Sequence, residues 1–168
     1  MKTKNEKLRI ALLNAGKNEF LAHGYRAVSI RNIATKAGAT TGAIYVYFEN
    51  KEGLFHALVK DTTQELLAFW RQMAARSTRI VRNGYVYQIP CEDKVWLEEF
   101  LYKNQTAIHL LLYCSAGTAY ENFSHSLIAL ETAINESAIF DSDCRQTRCW
   151  DHPSTIFSFK VKLYPKIS

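Results

Sequence analysis

Residues 29–54 read SIRNIATKAGATTGAIYVYFENKEGL, and the order of caps, apolar positions and glycines in this stretch decides the fold. Ser29 offers a side-chain oxygen to the first unpaired amides of a helix. Ile30, Ile33, Ala34 and Ala37 follow, at the i, i+3, i+4, i+7 spacing of a helix with one apolar side. Gly38 ends that helix after roughly two turns, because glycine tolerates the left-handed conformation past a helix end. Thr40 can cap a second short helix, in which Ile44 and Phe48 face inward. Gly42, Ala43, Tyr45 and Val46 are left pointing outward or sideways. Asn50 then caps a longer helix, whose Leu54, Leu58, Leu66, Phe69 and Met73 form a stripe to about Ala75.

Upstream, Leu8, Leu12, Ala15 and Phe20 recur at helical spacing, which predicts a helix over 5–22 ended by His23 and Gly24. Two short helices joined by a glycine-containing turn and braced by a first helix describe a helix-turn-helix unit. In such units the second helix of the pair enters the major groove of DNA. The chemistry of 40–48 suits that place. Thr40, Thr41, Gly42 and Ala43 are small or hydroxylated and allow close approach to base edges, with Ala43 able to meet a thymine methyl. Tyr45 and Tyr47 can donate hydroxyl hydrogen bonds to phosphates, and Lys51 adds a charge at a helix start. Ser29 and Arg31 open the preceding helix and can reach the backbone in the same way. For both tyrosines the alternative is core packing.

At these residues the sequence resembles the tetracycline-repressor (TetR/AcrR) family of transcriptional regulators. The resemblance rests on Ala15, Phe20, Gly24-Tyr25, Ser29-Ile30, Ile33-Ala34, Ala37-Gly38, Thr40 through Phe48, Lys51-Glu52 and Leu54, covering about 8–60 without a gap. It implies DNA contacts at Thr40, Thr41, Ala43, Tyr45, Tyr47 and Lys51. It also implies an all-α chain in which the helix-turn-helix domain is followed by a helical ligand-binding and dimerisation domain. Ala39 stands where an aliphatic residue is usual in that family and Tyr47 where histidine is frequent. Gly16 replaces a common alanine, which predicts a first helix loosened by up to ~1 kcal/mol.

The expected domains are 1–50, 51–138 and an irregular tail over 139–168. Within the second, 77–93 reads as a loop, 94–103 and 105–115 as helices, and 119–137 as an amphipathic helix carrying Phe123, Leu127, Leu130 and Ile134. Asn104 through Glu131 resembles some family members around a Gly-Thr-x-Tyr-Glu-x-Phe core. The region is rich in aromatics, and apolar cavities with a few polar groups are how small-molecule sites are built. Trp70, Trp96, Phe100, His109, Tyr113 and Tyr120 are the candidate effector residues, the alternative for each being ordinary core. Relatives in the family end in two long helices that pair across a two-fold axis. The residues after Glu136 show no such pair, so the C-terminus reads as shortened and the homodimer as weakened.

The charge distribution suits a polyanion-binding module joined to a neutral one, the alternative being a solubilising surface. Residues 1–50 hold eight basic and three acidic side chains, while 51–168 hold thirteen of each, so the whole net charge of +5 lies in the first third. With 48% hydrophobic residues, disorder is not expected. No apolar run is long enough to span a bilayer, and MKTKNEKLR lacks the core of a signal peptide; a cytoplasmic protein is expected. Cys144, Cys149 and His152 have C-x4-C-x2-H spacing with no evident fourth ligand, so no metal is expected, and no sequence feature calls for a cofactor. No His-Glu-x-x-His, Gly-x-Ser-x-Gly or phosphate loop occurs, and catalysis is not expected. The reading is thus a ligand-responsive regulator, a repressor that a small-molecule effector releases from operator DNA. Its alternative is a small-molecule- or partner-binding helical protein whose impaired dimerisation abolishes repression.

Overall fold

The computed structural model describes residues 4–82 and 91–129. Six helices follow one another: α1 (Lys4–Ala27), α2 (Ile30–Lys36), α3 (Thr41–Phe48), α4 (Lys51–Arg82), α5 (Cys91–Lys103) and α6 (Gln105–Tyr113). Residues 123–129 are also helical, and no strand occurs among the described residues. The expected tail over 139–168, with its cysteines, and the part of the expected helix beyond residue 129 lie outside them.

The described residues fall into two compact units. The first comprises 4–68 and 91–124. Its centre is built from Leu12 and Phe20 of α1, Ile33 of α2, Ile44 of α3, and Leu54 and Phe55 of α4, all fully buried. Phe20, Tyr25 and Phe55 form a ring cluster with centroids 5.3–5.8 Å apart, which ties the end of α1 to α4. The second unit takes 69–82 and 125–129. There Trp70, Met73 and Leu127 are buried, and Trp70 meets Phe69 edge-on at 5.6 Å.

Local chemistry explains the boundaries. At Gly24 the backbone turns to φ 72°, breaking α1 where the sequence predicts its end, although helical turns resume to Ala27. Ser29 Oγ accepts from the Asn32 amide at 3.2 Å and caps α2. At the other end Gly38 takes φ 64°. Its amide donates to Thr35, and the Ala39 amide reaches back to Ala34, so both orphan carbonyls are satisfied. Thr40 occupies the cap position of α3 with an extended backbone, but its side chain makes no capping bond.

Two expectations change. The helix from Asn50 runs to Arg82 rather than stopping near Ala75, and α5 begins at Cys91. Residues 115–122 are turns rather than the start of a helix at 119. Their hydroxyls explain this: Thr118 Oγ1 donates to the Ser115 carbonyl and accepts from the Tyr120 amide, while Ser115 Oγ bonds the Leu111 carbonyl. Side chains that offer the backbone local partners compete with a helical ladder. Gly16 has a packing role beside its helix propensity. It is buried against Leu54, whose Cδ2 lies 2.9 Å from where a methyl would stand, so the missing side chain is occupied space rather than slack.

Candidate nucleic-acid interface

The three-helix unit fixes α3 by its inner side. Ile44 and Phe48, one turn apart, are buried, which turns Thr41, Gly42, Tyr45 and Val46 to solvent. Tyr45 is 54% exposed and Val46 81%. Thr40 is exposed as well, whereas Ala43 and Tyr47 are half-buried, the Tyr47 ring tilting against Phe48 at 6.3 Å. Ser29 and Arg31 are exposed at the start of α2. Ser29 Oγ spends an acceptor site on the Asn32 amide, which leaves its proton available to a phosphate.

Lys51 is placed differently from a free phosphate anchor. Its Nζ donates to the carbonyls of Tyr25 and Val28, each at 2.9 Å, and lies 4.2 Å from the centre of the Tyr25 ring. Two of its three donors therefore close off the end of α1, and one remains for a partner. Burial lowers its pKa. Burial and then the nearby Glu52 carboxylate raise that of Tyr25. Lys51 thus holds the end of α1 as well as offering a donor outward.

An ion pair and a close glycine–backbone approach set the mount of the unit in two places that have no signature in the sequence pattern. Glu19, 3% exposed on α1, pairs with Lys36 at the end of α2. Gly53 lies against the end of α3: a methyl there would stand 1.9 Å from the Phe48 carbonyl oxygen. Glycine–backbone approach of this kind has no periodic signature, and an ion pair 17 residues apart appears only once the helices are packed.

The candidate effector residues are spread over several contacts. Trp96 stacks on Phe100 within α5 at 4.9 Å, and His109 meets Tyr113 within α6 at 5.0 Å. Trp70 belongs to the second unit and is buried. Tyr120 packs on Phe55 and His56 of α4, and its hydroxyl bonds His56 Nδ1. Burial, and secondarily Glu52, raise the Tyr120 pKa. The same turn is tied to α1 and the start of α4 by three further contacts, and a fourth bond, from Gly117 N, holds the turn together. Tyr25 N donates to Cys114 O at 3.0 Å, Arg26 pairs with Glu121 at 3.2 Å, Gly117 N donates to Glu121, and Ala119 N donates to Glu52 at 3.1 Å. Among the described residues no group of three metal-ligating side chains comes together, and no helix is long and apolar enough to cross a membrane.

Comparison with known proteins bears on the same region. The family of bacterial regulatory proteins described as the tetR family matches residues 12–58, from within α1 to the first turns of α4. An uncharacterized HTH-type transcriptional regulator of Bacillus subtilis, YdgC, is 39% identical over 61 residues, which are 36% of this chain and 31% of that protein. The HTH-type transcriptional repressor KstR2 of Rhodococcus jostii is 30% identical over 67 residues, 40% of this chain and 33% of that one. The matched stretch thus spans about a third of the length of these curated relatives. A transcriptional regulator from Aquifex aeolicus VF5 shares the fold at a TM-score of 0.51 and 19% identity, covering 77% of this chain and 70% of that chain. The capped helix pair and the residues that build it coincide with the match, so over residues 12–58 the chain is similar to the tetR family of bacterial regulatory proteins.

Proposed function

We propose that the chain is a cytoplasmic, ligand-responsive transcriptional regulator, a repressor that binds operator DNA as a homodimer and is released by a small molecule. One observation carries the DNA reading: the outer side of α3 is exposed and free of charge, with hydroxyls at Thr40, Thr41 and Tyr45 and no side chain at Gly42. A surface of that kind fits a groove floor, while Ser29, Arg31, Tyr45, Tyr47 and the remaining donor of Lys51 serve the phosphates at its edges. The names of relatives such as KstR2 support repression. Two reading heads about 34 Å apart are needed for a palindromic operator, hence the homodimer.

The turn at 114–121 supports the effector reading. It is bonded to α1 and to the start of α4, so a ligand that moves this turn biases the reading unit. Trp70, Trp96, Phe100, His109, Tyr113 and Tyr120 are the side chains assigned to the effector. Domain roles follow: reading over 1–50, effector binding and pairing over 51–138, with 139–168 a tail. The test is a gel-shift series with DNA from upstream of the chain's own gene, at 50–300 mM salt. Sequence-preferring binding that weakens steeply with salt supports the reading. Equal, weak binding to any duplex removes it.

A further inference from the structure

We propose that Val46 is the residue of α3 that reads a thymine, through the C5-methyl group of the base in the major groove. The inference rests on the DNA-binding reading above and names the base class that this helix selects. From Thr41 to Phe48 the sequence is TGAIYVYF, without a single arginine, lysine, asparagine, glutamine, aspartate or glutamate. The paired hydrogen bonds that distinguish guanine or adenine are therefore not available from α3. Its outward side offers hydroxyls and one prominent apolar group, Val46, at 81% exposure.

The fold does not need that group. A β-branched residue is a weaker helix former than its alternatives, and at this exposure it gains almost no packing in return. In the major groove thymine alone among the four bases presents an apolar group. A valine pressed on a cytosine amine or a guanine oxygen leaves that polar edge without a partner, so the same side chain favours one base and disfavours others. Ala43, the methyl contact expected from the sequence, is half-buried and less able to fill this role.

The experiment takes the full chain and a duplex it selects from a randomised pool. Each thymine is replaced in turn by deoxyuridine, which removes only the methyl, and binding is followed by fluorescence anisotropy for wild type, Val46→Ala and Val46→Thr. One thymine per half-site is expected to lose about fourfold in affinity on demethylation, the equivalent of about 0.8 kcal/mol for one buried carbon. Val46→Ala should make the same position indifferent, and Val46→Thr should retain part of the effect; thermal melts confirm that both variants stay folded. Sequence-specific binding with no uracil-sensitive position, or a sensitivity that persists unchanged in Val46→Ala, overturns the assignment and leaves the regulator reading standing. Failure to select any sequence overturns both.

Discussion

The ammonium of Lys51 lies over the Tyr25 ring and donates to the Tyr25 carbonyl at 2.9 Å, binding the first residue of α4 to the end of α1. The contact makes one residue answerable for two properties, the mount of the reading unit and the phosphate contact it offers. Lys51→Met keeps the length of the stem and removes the donors. It is expected to lower stability by about 2 kcal/mol, since bonds from a charged donor to two carbonyls disappear. A urea titration measures this; an unchanged midpoint would mean that the carbonyls are equally well served by water.

Gly53 gives a prediction with a decisive sign. Glycine to alanine inside a helix ordinarily stabilises by up to ~1 kcal/mol. Here the added methyl meets the Phe48 carbonyl oxygen at 1.9 Å and its carbon at 3.0 Å, both backbone atoms that cannot rotate aside. Gly53→Ala should cost about 3 kcal/mol or more and shift α3 with it. A thermal melt at or above the wild-type midpoint would show that α3 and α4 are less closely apposed.

The pair formed by Glu19 and Lys36 predicts a non-additive response. Lys36→Ala leaves a buried carboxylate without its partner and should cost about 1–3 kcal/mol. Replacing both by methionine removes the charge that needed a partner and should recover much of that loss. A double-mutant cycle on unfolding free energies checks it; simple additivity would contradict the pairing.

His109 makes stability depend on pH in the acid range. Burial lowers its pKa below the ordinary 6.5, so the folded chain takes up this proton less readily than the unfolded one. Its contribution is complete above pH 6.5 and is lost as the pH falls from there through the folded value. Midpoints measured from pH 7.5 to pH 5 should decline, and His109→Gln, which cannot titrate, should flatten the decline. An identical slope in both proteins would remove His109 as the cause.

The helix pair was legible because its determinants are local. Ser29, Ile33, Ala34, Gly38, Ile44 and Phe48 act within a turn or two of themselves, and the structure puts each where spacing and cap chemistry predict. What the sequence concealed is tertiary. The partner of Glu19, the carbonyl over Gly53, and the Lys51 donors spent on α1 depend on how helices meet. The turn at 115–122 escapes a periodicity reading because Phe123 and Leu127 do continue a helical stripe, while the hydroxyls of Ser115 and Thr118 take over the backbone bonding before it. Composition groups Tyr120 with the other aromatics, and only packing shows that its ring neighbours are Phe55 and His56.

The most direct test of the account is the affinity of Tyr45→Ala for a selected operator duplex, beside its thermal midpoint. Tyr45 is half-exposed, and no hydrogen bond from its side chain to the rest of the chain is found among the described residues. The account predicts a loss of DNA affinity of about tenfold or more, as a charge-assisted contact to phosphate is worth about 1.5–3 kcal/mol, with the midpoint unchanged. Wild-type affinity in a folded Tyr45→Ala protein would contradict the placement of the outer side of α3 against DNA.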